Sequence, residues 1–120
     1  MTDRELLELA AKAAGVVAHH WSHADCPDCP DAVPVLTDGI NTEIIAWNPL
    51  DDDGDALRLA VSQRLKIDHN RPEDQNLWVA VRDRRFMACS LERLDDESQR
   101  GAATRLAITR AAAEIGRAMP

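Results

Sequence analysis

Trp47-Asn48-Pro49-Leu50-Asp51-Asp52-Asp53-Gly54-Asp55-Ala56-Leu57-Arg58-Leu59-Ala60-Val61 reads as the end of a strand, a turn and the start of a helix. Ile44, Ile45 and Trp47 suit a pleated, partly buried surface. Pro49 cannot donate a ladder hydrogen bond and biases Asn48 toward extended geometry, so the strand should stop there. Asp51, Asp52 and Asp53 then crowd a helix start, where acidic oxygens accept from free N–H groups and suit the positive dipole end. Leu57, Ala60, Val61, Arg64 and Leu65 fall on one stripe at helical spacing, with Arg64 as a long stem at its edge. The aspartates do not make a calcium loop. Counted from Asp51, the sixth residue is Ala56 rather than glycine, and the twelfth is Ser62 rather than glutamate. A charged helix N-terminus explains them more simply than a magnesium-dependent nuclease centre does.

On the N-terminal side, Thr2 and Glu5 have the spacing of a capping box. Leu6, Leu9, Ala10, Ala13 and Val17 recur at helical spacing, which predicts a helix from about Asp3 to Ala14 with Gly15 as its stop. Val16 to Ser22 is a weakly alternating strand candidate, and Ala24 to Pro34 is a loop rich in Pro and Asp. Asp38-Gly39 is a strong turn signal, so Val35-Leu36 and Thr42 to Trp47 should form a hairpin.

On the C-terminal side the second helix should end near Arg64. Leu65 to His69 is a short strand and Asn70 to Gln75 a polar turn. Leu77, Val79 and Val81 alternate with Trp78, Ala80 and Arg82, which reads as a strand. Asp83-Arg84 turns it into a second strand, Phe86 to Leu91. Trp78 and Trp21 are expected in the core, because the chain has few aromatics to fill it. The last helix begins near Glu97 or Ser98 and runs to Arg117. Its better core stripe is Ile108, Ala112, Ile115 and Met119. These elements predict an α+β domain with three helices packed on a mainly antiparallel sheet of about four to five strands.

Three stretches carry a resemblance. They are the opening Met1-Thr2-Asp3-Arg4-Glu5-Leu6-Leu7-Glu8-Leu9-Ala10-Ala11-Lys12-Ala13-Ala14-Gly15, the central Trp47 to Val61, and the ending Thr104-Arg105-Leu106-Ala107-Ile108-Thr109-Arg110-Ala111-Ala112-Ala113-Glu114-Ile115-Gly116-Arg117-Ala118-Met119. Together they resemble the phage ABA sandwich domain family, small proteins encoded by bacteriophages and prophages, with no settled biochemical activity. The family name implies an α-β-α sandwich, with helices on both faces of the sheet. The segments between the three stretches match no pattern.

Length and composition set the remaining bounds. At 120 residues the chain fits a single domain, residues 1–120, with 45% hydrophobic content and only 3% aromatic. Alanine, leucine, valine and isoleucine must therefore do most of the packing. The net charge of −7 argues against direct nucleic-acid binding and against anionic membranes, since phosphate binding needs a basic surplus. No stretch is long and apolar enough to span a membrane, and no signal-peptide pattern opens the chain. With three cysteines and no secretory signal, reduced thiols in the cytoplasm are expected.

His19, His20, His23, Cys26 and Cys29 form the one cluster with ligand chemistry. Cys26-Pro27-Asp28-Cys29 has the spacing that lets two thiolates reach one zinc ion, and His23 and His19 would complete the set. Structural zinc sites usually join two separated pairs, and only one cysteine pair is present. Cys89 would have to supply a third thiolate through the fold. An irregular loop with ordinary thiols is the simpler reading, so no cofactor is expected and zinc is the alternative. A thioredoxin-like role would need the first cysteine at a helix N-terminus, which Pro30 and Pro34 disfavour.

The expected function is non-enzymatic. The resemblance implies a phage or prophage accessory protein in the bacterial cytoplasm that binds a host or defence protein. The acidic residues Asp51, Asp52, Asp53 and Asp55, read as exposed, would meet a basic surface on that partner. Monomer and homodimer are both open. The competing classes are a small metal-dependent nuclease or hydrolase using the aspartates with His69 as general base, and a zinc-stabilised binding module built on Cys26 and Cys29.

Overall fold

The first helix forms where its capping signals put it. In the computed structural model, which describes residues 2–16, 20–21, 34–37, 44–85 and 89–120, α1 spans Asp3–Ala14. The Thr2 hydroxyl accepts from the Glu5 N–H, and the Glu5 carboxylate accepts from the Thr2 N–H. Gly15 ends the helix with φ of 71°, a left-handed conformation that favours glycine. Leu6, Leu7, Ala10 and Ala11 form its buried face.

Two three-stranded antiparallel sheets follow among the described residues. The first is β1 (His20–Trp21), β2 (Pro34–Thr37) and β3 (Ile44–Ala46), in chain order. The second is β4 (Lys66–His69), β5 (Leu77–Arg82) and β6 (Cys89–Leu94), again in chain order. One sheet of four to five strands was the expectation. The strands instead divide in two at α2 (Asp53–Ser62), which separates β3 from β4 in the chain. The second hairpin has the expected strands, but β6 reaches Leu94 rather than Leu91. Pairing of Val79 with Glu92 and of Val81 with Ser90 fixes its register. Val79 and Val81 are fully buried on the inner face, and Ile67, Leu77 and Leu94 pack on the same core.

The last helix, α3, spans Arg100–Ala118 after a short 3-10 turn at Glu97–Gln99. It is the hub of the fold, because α1, α2, β5 and β6 all pack against it. That position explains why a single stripe does not describe it. Ala107, Ile108, Thr109, Ala111, Ala112, Ala113 and Gly116 are all buried. Ile108 and Ala112 are core as expected, whereas Met119 is exposed. Thr109 tolerates burial because its hydroxyl donates to the Arg105 carbonyl at 2.8 Å.

The central stretch behaves as a junction. Trp47 is buried directly after β3, and Pro49 is fully buried. The Asn48 side chain accepts from the Leu50 N–H at 3.1 Å, which folds the turn. Asp52 is the N-cap of α2, accepting from the Asp55 N–H at 2.8 Å. The expected stripe on α2 is corrected. Ala56, Leu59 and Ala60 face the core, while Leu57, Val61 and Arg64 are exposed. Trp78 is also corrected. It is half-buried, on the opposite face of β5 from Val79 and Val81, because strand neighbours point to opposite faces.

Candidate functional site

The proposed acidic site divides into two kinds of residue. Asp51, Asp52 and Asp53 are exposed, as expected. Asp55 is not. It is only 7% exposed, and its carboxylate accepts from the Asn48 N–H at 2.9 Å and from Arg58 Nη2 at 2.8 Å. The reason is its place in the first turn of α2, where the side chain reaches back over the junction and satisfies a backbone donor left by the turn. Asp55 is a structural clasp rather than part of an exposed acidic surface. Asp55→Ala should therefore cost about 1–3 kcal/mol, because it strands a part-buried N–H. Asp51→Asn should change stability by less than about 0.5 kcal/mol. Urea unfolding of the two variants checks this, and equal midpoints would show that the clasp contributes nothing.

The exposed aspartates are not all bare charges. Asp53 pairs with Arg105 Nη1 at 2.6 Å, and Asp52 lies 3.9 Å from Arg58. Arg105 also donates to the Leu50 carbonyl at 3.0 Å, which ties α3 to the junction. No local pattern marks the partners of Arg105, which lie more than fifty positions away.

Alongside these acids α2 presents apolar residues. Leu57 and Val61 are 61% and 67% exposed. With Asp53 they follow one another at a spacing of four, so all three share one outward helix face. A second exposed surface is the outer face of the β4–β6 sheet. Trp78, Ala80, Leu91 and Arg93 line a concavity of about 770 Å³ there, with Asp74 and Asp95 at its rim. Leu91 is 56% exposed within it.

His69, the base of the nuclease reading, is exposed at the end of β4. Arg100 Nη1 lies 3.1 Å from its Nδ1, and Asp68 points to the other face of β4, where it pairs with Arg82 at 3.0 Å. Arg100 is occupied structurally. It donates to the Trp78 carbonyl at 3.0 Å, to Asn70 Oδ1 at 2.6 Å and to both Glu97 oxygens at 2.8 Å. Asn70 in turn accepts from the Trp78 N–H at 3.0 Å, so the start of α3 is pinned to the β4–β5 connection. The Arg100 hydrogen bond holds the Glu97 carboxyl below the usual glutamate range and raises Arg100. The Ser98 hydroxyl and N–H hold Asp96 low in the same way. Lowered carboxylate values favour the folded state above the ordinary carboxylate range and stop doing so as pH falls through them. Acid should therefore loosen the start of α3.

The zinc candidates His19, His23, Cys26 and Cys29 lie outside the described residues. Cys89 is exposed on β6. Among the described residues no group of three or more His, Cys, Asp or Glu is placed to hold a metal ion. No helix among them is long and apolar enough to cross a membrane. No protein-family model, curated protein or solved structure matches the chain.

Proposed function

We propose that this chain is a non-enzymatic accessory protein of phage or prophage origin that binds a host or defence protein in the bacterial cytoplasm. The resemblance of the two termini and the central stretch supports the origin. The outward face of α2 supports the binding role. Asp53, Leu57 and Val61 stand in line on it, with Asp51 and Asp52 at its N-terminal end. Scattered exposed apolar residues need no explanation, but two adjacent ones beside exposed carboxylates form a patch with a defined complement. That complement is a protein surface offering an apolar recess flanked by lysine or arginine. The carboxylates would speed encounter and set specificity, and the leucine and valine would supply the buried contact. Among the described residues the helices pack through α3 on one face of the β4–β6 sheet, and the two-faced sandwich that the resemblance implies would need a further helical layer on the other.

The test is affinity purification from infected host cells with the native chain and two variants. Leu57→Ser with Val61→Ser removes apolar area that is already solvent-exposed, so its melting temperature should hold. Recovery of a specific partner should fall at least about tenfold. Asp51→Asn, Asp52→Asn and Asp53→Asn together keep capping oxygens while removing charge. The triple variant should weaken binding at low salt and much less at high salt. A partner recovered equally well by both variants would move the binding surface away from α2. Tight binding of duplex DNA at physiological salt would defeat the protein-partner reading itself.

A further inference from the structure

The chain is acidic overall, at −7, and most of its arginines are paired with carboxylates. Arg58 lies 2.8 Å from Asp55, Arg82 3.0 Å from Asp68 and Arg100 2.8 Å from Glu97. Arg93, on the outer face of the β4–β6 sheet, departs from this pattern, and so does the group of Arg64, Arg84 and Arg85. All three are exposed and form no ion pair among the described residues, yet they line one open cavity of about 450 Å³. The cavity lies where the end of α2 meets the turn after β5, and Ile115 of α3 gives it an apolar wall. Asp83 is the acidic residue of the lining, so the charge there is three positive against one negative.

Arg64 adds an independent observation. Its N–H donates to the Val61 carbonyl at 3.1 Å, and the Leu65 N–H donates to the Ala60 carbonyl at 2.9 Å. These two bonds close the end of α2 in the arrangement that calls for a left-handed residue, and Arg64 has φ of 52°. Glycine fills such a position without strain, whereas a residue with a Cβ is disfavoured there. The chain thus places a long cationic side chain at a strained position on the edge of a cavity that two further arginines line. Strain of this kind is most informative where the side chain has somewhere to act.

We infer that this cavity binds a small polyanion, the phosphate group or groups of a phosphorylated small molecule. Guanidinium forks match phosphate oxygens two at a time, and three of them around one recess exceed what a single carboxylate needs. The volume lies in the small-molecule range of roughly 300–1,000 Å³. The arginines must supply the donors, since the Ser62 hydroxyl already donates to the Leu59 carbonyl and the Gln63 amide to the Ala13 carbonyl. They must also outweigh the partial negative charge at the end of α2, which the two closing bonds partly satisfy. Nucleic acid is a poor fit, because the chain's overall negative charge repels a long polyanion beyond the cavity.

Calorimetric titration of the full chain with inorganic pyrophosphate at low salt tests this independently of any protein partner. One site is expected. Arg84→Ala with Arg85→Ala should weaken it at least about tenfold without lowering the melting temperature. Arg64→Gly should raise the melting temperature by a few degrees and still weaken binding, a split that a purely structural arginine would not produce. Arg71→Ala, elsewhere on the surface, should leave affinity unchanged. Absence of pyrophosphate binding at millimolar concentration would overturn the inference. So would equal affinity in the native and double-variant chains, or binding of a polyglutamate peptide in preference to pyrophosphate.

Discussion

Gly116→Ala should unfold or severely destabilise the protein, by about 3 kcal/mol or more. In an open helix the same change would stabilise by roughly 1 kcal/mol, because alanine is the better helix former. The sign is decided by where α1 crosses α3. A Cβ on Gly116 would stand 1.9 Å from the Leu9 carbonyl oxygen and 2.8 Å from its carbon, both backbone atoms that cannot rotate away. The two helices would have to separate, and the separation would loosen Ala10 and Ala112, which are fully buried. Gly101, in the first turn of the same helix, is the control. A Cβ there meets only the flexible end of Arg105 at 3.4 Å, so Gly101→Ala should be neutral or mildly stabilising. Thermal unfolding followed by circular dichroism separates the two. A drop for Gly116→Ala well above about 10 °C is expected for this size of domain. An unchanged or raised melting temperature would mean that the helices do not approach so closely.

Trp47→Ala should cost about 3–5 kcal/mol, the usual range for removing a large buried aromatic. Trp47 is 7% exposed and belongs to the central cluster with Leu59, Val79 and Ile108. A core built largely from alanine has few large side chains to close over the space the indole would leave. The cost should therefore sit toward the upper end, with little relaxation. Urea unfolding with an unchanged slope measures it. A loss below about 1 kcal/mol would place the ring at the surface and break the link between β3 and the core.

Much of this architecture was legible where the signal is local. Thr2 with Glu5 and Gly15 delimited α1 because capping is a matter of residues three or four apart. The acidic start of α2 at Asp51 to Asp53 and the alternation of β5 were readable for the same reason, whereas the choice of Asp52 as the cap and the reach of β6 to Leu94 were not. The exposed aspartates at positions 51 to 53 were equally plain, since charged residues next to a proline turn have little reason to be buried.

The sequence did not determine which of several adjacent apolar stripes would face inward. On α2, the pair Leu57 and Val61 and the pair Ala56 and Leu59 point about 150° apart, and both contain enough apolar residues to serve. The choice went to Ala56, Leu59 and Ala60, which pack in the core shared with α3 and β5. The bond from the Asn48 N–H to the Asp55 carboxylate holds the helix in the same rotation. It also removed Asp55 from the acidic surface. Gly116 carried no sequence signal of its own, because a glycine near a helix end reads as a stop until a second helix is packed against it. The grouping of Arg64, Arg84 and Arg85 was hidden for the same reason. Arg64 precedes the adjacent Arg84 and Arg85 by some twenty positions, and only the packing of the end of α2 beside the end of β5 brings them together. Local bonds specify where elements begin and end; which faces meet depends on the summed packing of elements distant in sequence, and no window of residues contains that sum.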